Sequence, residues 1–179
     1  MTPRRLWLIA ALATPLLFGG CASHTPADHA GQLPTLDLAR YFNGQVLAHG
    51  MFQDRAGRVV KRFTVQITGT WQGDQGTLDE RFAYADGSTQ RRVWHLTRGP
   101  GGTYTGRADD VVGEATGQAV GNALNWRYTL RLPVDGSVYE VQFDDWMILV
   151  DERVMLNRAT MSKFGVTLGE VTLSFARQP

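Results

Sequence analysis

The sequence predicts an all-β domain: an antiparallel up-and-down barrel of about 8–10 strands, entered through a short N-terminal helical turn. Three observations carry this reading. Apolar and polar side chains alternate with period two past Gly44, turn sequences separate the alternating runs, and no stretch of helical period is long enough to cross between parallel strands. A β-sandwich is the alternative, favoured if the long segment from Val138 to Met161 divides between two sheets.

The chain opens with Arg4 and Arg5, an apolar run from Leu6 to Phe18 interrupted by Thr14 and Pro15, and then Gly19, Gly20 and Cys21. That is the layout of an export signal, assigned to residues 1–20, and the run is short of the ~20 residues that span hydrocarbon as a helix. The stretch Leu17-Phe18-Gly19-Gly20-Cys21 resembles a bacterial lipobox. The resemblance implies that Cys21 carries a diacylglyceryl thioether and an amide-linked acyl chain, a stable anchor because several chains share the load. Ala22 in place of Asp implies sorting to the outer membrane, on its periplasmic side. Gly20-Cys21-Ala22 also reads as a cleavage site for plain secretion, and a retained transmembrane anchor is the third possibility.

Residues 21–35 read as a lipidated, flexible tether, since Ser23 to Pro34 has Pro, Ala, His and Gly without apolar period. His24 and His29 lie in it, but two histidines without a third ligand make no metal site. The single domain then runs from 36 to 179. Leu36 to Phe42 has helical spacing for a turn or two. Strands are expected at Val46 to Gln53, Phe63 to Thr68, Thr77 to Ala85, Gln90 to Arg98, Thr103 to Ala108, Val112 to Val120, Leu124 to Leu132, Val138 to Val150, Arg153 to Met161 and Val166 to Ala176. Asp54 to Gly57, Gly73 to Gly76, Asp86-Gly87, Gly99 to Gly102, Gly121-Asn122, Asp135-Gly136 and Gly165 supply the turns. The short helical entry, Tyr41-Phe42-x-Gly44 and a first strand are similar to the entry of lipocalins, whose barrels hold one small apolar ligand.

Composition excludes several function classes. The 18 Lys+Arg against 17 Asp+Glu leave a formal charge of +1, and losing Arg4 and Arg5 with the leader takes it to −1. No basic excess is left to neutralise phosphates, so nucleic acid is not an expected partner. One cysteine makes no internal disulfide and no thiolate cluster, so no cofactor or metal centre is expected. A barrel spanning the outer membrane needs an outward apolar band. Arg91, Arg92, Arg127, Arg131, Glu80 and Glu140, assigned to the polar faces, argue against one, so the membrane contact is expected through the anchor at Cys21.

The last third of the chain is the most distinctive. Phe143-Asp144-Asp145-Trp146-Met147 and the run from Asn157 through Arg158 and Lys163 to Val166 resemble the signature of an uncharacterised proteobacterial lipoprotein family, domain of unknown function 3833. Tyr41-Phe42-Asn43-Gly44, Glu80 to Gly87, Arg92-Val93-Trp94, Gly113 to Gly117 and Gly121 to Leu124 extend the resemblance over roughly Leu36 to Phe175. It implies a lipid-anchored, lipocalin-like β domain and no particular activity.

By strand parity, Tyr139, Val141, Phe143 and Asp145 share one face, with Glu140, Gln142, Asp144 and Trp146 on the other. A carboxylate on the apolar face must be paired, hydrogen-bonded or protonated. With Met147 to Glu152 as the turn, a hairpin brings Asp144, Asp145 and Trp146 near Asn157 and Arg158, and Lys163 closes the candidate polar cluster. It is read either as a buried ion pair that fixes register or as a holder for a ligand head group. Trp71, Trp94, Trp126 and Trp146 are core residues or the lining of a lipid pocket.

Catalytic candidates are few. Asp144 and Asp145 point to opposite faces and cannot flank one glycosidic bond. His49 and His95 are the histidines of the folded part, His95 being the candidate base, and the glycine-rich stretches read as loops or bulges, without the Lys-Ser/Thr of a phosphate cradle. Three functions are therefore expected in turn: a periplasmic lipoprotein binding or carrying a small hydrophobic ligand such as a fatty acid or lipid intermediate, a structural or interaction module of the envelope with a filled core, and a calycin-like enzyme using Asp145 or His95.

Overall fold

A computed structural model describes residues 23–179. The expected signal peptide and the lipidation site Cys21 lie outside the described residues. Ten strands follow in order: β1 (Gly44–Asp54), β2 (Val59–Gln72), β3 (Gln75–Tyr84), β4 (Thr89–Arg98), β5 (Thr103–Arg107), β6 (Ala115–Val120), β7 (Ala123–Val134), β8 (Ser137–Leu149), β9 (Val154–Lys163) and β10 (Val166–Arg177). Each pairs antiparallel with the next, and β10 returns to β1, so the sheet is a closed up-and-down barrel without a free edge. The sandwich does not form because β8 and β9 stay paired from Gln142 opposite Ser162 to Leu149 opposite Met155. Met147, Ile148 and Leu149 continue β8, as the run from Val138 to Val150 predicts, so the turn does not begin at Met147.

Local chemistry sets the hairpins. Asp135-Gly136 and Phe164-Gly165 take positive φ at both positions (49° and 79°, 51° and 77°), which suits two-residue connections between right-twisted strands. Antiparallel order sends the turns after β1, β3, β5, β7 and β9 to one end of the barrel, the far rim. The other end is stoppered. Asp37 caps the short helix α1 (Leu38–Tyr41), accepting from the backbone N–H of Ala39 at 2.9 Å and Arg40 at 3.2 Å. Leu36, Leu38, Tyr41 and Phe42 are buried, with Phe42 edge-on to Phe175 at 5.9 Å. Arg98 of β4 forms an ion pair with Asp37, fastening α1 to the wall.

Strands β5 and β6 have 5 and 6 residues where the others have 10 to 14, which leaves the wall low on one side. The segment 108–114 covers the gap. Val111 is buried and bridges Leu130, the Val112 N–H donates to the Thr129 carbonyl, and the Arg131 N–H donates to Asp110, each at 2.8 Å. The expected strand from Val112 therefore begins only at Ala115.

The segment expected as a flexible tether is seated on the outside of the barrel. Pro26–His29 forms a 3-10 turn against β6 and β7. The His24 ring stacks on Trp146 at 3.9 Å, His29 Nδ1 is 3.1 Å from Asn122 Oδ1, and the Leu36 N–H donates to Gly121.

Candidate functional site

The expected cluster is split by the wall. Asp145 and Asn157 face the interior, 6% and 2% exposed. Asp144, Trp146 and Arg158 face out. Asp144 accepts from Asn125 Nδ2 at 2.6 Å and from Arg127 Nε at 3.1 Å, and Arg158 pairs with Glu170 of β10 at 2.6 Å. The buried ion pair expected of this cluster does not form: across the β8–β9 register Asp145 opposes Ala159 and Trp146 opposes Arg158, so Asp145 and Arg158 lie on opposite sides of the wall. Lys163 is at the far rim, its Nζ 5.1 Å from the Tyr139 ring and 5.2 Å from Phe164. His49 and His95 are both exposed on the outer face.

In place of that cluster, four strands and the covering segment assemble a different one inside. Leu78, Glu80 and Phe82 share the inner face of β3, and Arg92, Trp94 and Leu96 that of β4; Glu80 and Arg92 are direct cross-strand partners. The expectation that both charges lie on the outer face is corrected here: parity ties each to the buried Leu78, Trp94 and Leu96. Arg92 donates through Nε and Nη2 to both carboxylate oxygens of Asp110, the closest contact being 2.7 Å, with its side chain 11% exposed. Burial works against the guanidinium charge, but Asp110 and Glu80 outweigh it and hold Arg92 protonated.

For Glu80 and Asp145 the favourable partners do not outweigh burial. Burial pushes Glu80 up to about 7, with Arg92 opposing and Asp110 adding to the rise. Asp145 is pushed up to about 8, mainly by burial and then by Asp144 behind it. Its Oδ1 has no hydrogen-bond partner among the described residues, nor has Oδ1 of Asn157, whose amide donates to the Trp146 carbonyl at 3.3 Å. Burial likewise raises the Tyr128 phenol, with Asp145 the next contributor.

Aromatic rings surround these groups. Trp126 is the cross-strand partner of Asp145. Trp94 meets Trp126 at 5.8 Å and Tyr128 at 5.5 Å, both edge-on, and Tyr128 stacks on Phe143 at 5.0 Å. Space for the Trp126 indole comes from Gly106 and Gly117, where any Cβ would meet the ring. Gly117 is thus an inner-face strand residue, not a loop glycine. Trp71 also lies inside, edge-on to Tyr104, whereas Trp146 is covered from outside by His24.

Among the described residues no group of three or more His, Cys, Asp or Glu is disposed to hold a metal ion. The arrangement can bind a molecule with one polar end and an apolar remainder, and its raised acids can hold or release a proton near neutral pH.

No curated protein matches the chain. A family model described as protein of unknown function, DUF3833, matches residues 15–177. The match takes in every strand, the covering segment and all the interior acids and rings, and the chain belongs to that family.

Proposed function

We propose that the protein is an outer-membrane-anchored periplasmic lipoprotein of a Gram-negative bacterium, held through lipidated Cys21, whose barrel binds or carries a small hydrophobic molecule such as a fatty acid or lipid intermediate. The observation behind this is the amphipathic interior. Trp94, Trp126, Tyr128 and Phe143 enclose Asp145, a buried carboxyl with an unpartnered oxygen, where a purely structural core would be apolar or fully paired. The leader ending at Gly20-Cys21 supports the anchor.

The test is to purify the acylated protein from envelopes, extract it and identify co-purifying lipid by mass spectrometry, with an unrelated lipoprotein as reference. One lipid class enriched at near-equal stoichiometry is the expected result. A lipid profile identical to the reference ends the proposal.

A second reading, an interaction module, is favoured by the far rim. Val134, Val138 and Tyr139 on one hairpin and Phe164 and Val166 on the next are exposed, Phe164 at 90%. Periplasmic crosslinking from position 164 returns one dominant partner if this reading holds, and only scattered products if it does not.

A further inference from the structure

Resting on the carrier reading above, the interior charge balance narrows what is carried. Three carboxyls face this part of the barrel, Glu80 from β3, Asp110 from the covering segment and Asp145 from β8, and one cation, Arg92 from β4, answers them. Arg92 spends its fork on Asp110. From β7 come the Tyr128 hydroxyl and the Trp126 indole N–H and from β9 the Asn157 amide, all uncharged, and Asp144 lies outside with Arg127. Among the described residues, this part of the interior therefore holds more acidic than basic side chains, the other inward cation of β4, Arg98, lying at the stoppered end with Asp37. A free carboxylate entering it would meet two acids and a guanidinium that is already engaged.

We infer that the barrel takes an amphiphile with a cationic head, an ammonium or quaternary ammonium group seated between Asp145, Glu80 and the faces of Trp94, Trp126 and Tyr128, with the alkyl part along the remaining inner apolar surface. Aromatic faces attract such a cation, and a quaternary ammonium is the least costly cation to remove from water. The unpartnered oxygen of Asp145, enclosed at 6% exposure, supplies the counter-charge. Among the described residues no third carboxylate, His or Cys joins Asp145 and Glu80 in a group able to hold a metal ion. In the unliganded barrel burial favours the protonated forms of Asp145 and Glu80, so the cation displaces protons on binding.

The experiment uses the full acylated chain in nanodiscs of zwitterionic lipid, with empty nanodiscs as the partition reference. Decyltrimethylammonium, decanoate and decan-1-ol, which share a tail length, are titrated below their micelle concentrations while tryptophan fluorescence is read. At pH 8 the ammonium binds at least tenfold more tightly than decanoate, and its affinity rises several-fold from pH 6 to pH 9. D145N lowers ammonium affinity about tenfold and leaves decanol binding unchanged; if D145N loses the strand signal in circular dichroism, E80Q carries the same comparison. Preference for decanoate or decanol, or a pH-independent ammonium affinity, overturns the inference while leaving the carrier reading intact. Binding of none of the three overturns both.

Discussion

Asp144 and Asp145 are adjacent in sequence and separated by the barrel wall. Asp144 sits outside, held by Arg127 and Asn125, and Asp145 sits inside opposite Trp126. One residue of strand parity turns two identical side chains into a surface ion-pair member and an enclosed acid. Burial raises the enclosed acid, which ties its protonation to folding.

The sign follows from its direction of shift. A carboxyl raised from 3.8 to about 8 in the folded barrel contributes most below the unfolded value, and that contribution is lost as pH rises toward 8. Glu80, raised to about 7, acts in the same sense. Urea midpoints should fall between pH 5 and pH 8.5. D145N, neutral throughout, should flatten the fall and be more stable than the parent at pH 8.5 by about 2 kcal/mol.

Arg92 should be the costliest charge to remove. R92M leaves Asp110 and Glu80 without their cation and frees the segment 108–114 from the wall. A loss of about 3–5 kcal/mol is expected for breaking a buried pair from one side. Denaturant unfolding measures the loss, and faster hydrogen exchange at the Val112 and Arg131 amides locates it. A change below about 1 kcal/mol means that the pair is decorative.

The stopper depends on Asp37 in two ways, as helix cap and as partner of Arg98. D37A should cost about 1–2 kcal/mol, and D37N, which keeps the cap and drops the charge, about half of that. Exchange at Tyr41 and Phe42, whose amides bond Asp37 and Leu38, reads the effect locally.

Gly69 leaves no room for a side chain, since a Cβ there would run into the Phe42 carbonyl. G69A should lower stability by about 2 kcal/mol or more by displacing the stopper. Val or Leu at Gly87, a turn glycine with open space around it, tests only backbone strain and should cost less.

Much of this was legible in the sequence. All ten strands were expected, and parity alone put Asp145 on the apolar face and Asp144 and Trp146 on the other. The same parity had the information to bring Glu80 and Arg92 inside with Leu78 and Trp94. Their charge, beside the exposed Arg91, pointed the wrong way, because burial of a charge is the exception that pairing permits. Asp110 was not readable: it reaches Arg92 only because β5 and β6 stop short and the intervening segment folds back, a length effect settled by the whole wall. The cover of Trp146 by His24 joins positions far apart in sequence, and no local pattern signals it.

Finally, the Gln178 amide bonds the Gln45 carbonyl, and Val46 lies opposite Arg177, so the start of the first strand and the end of the last lie side by side. A ring of antiparallel staves has no privileged first member. Joining Gln178 to Leu36 by a linker that crosses the stoppered end to the Gly121 turn, and cutting at Asp86-Gly87, should give a circular permutant with the same strand pairings, which marks the order of the chain as history and the circle of pairings as the physical object.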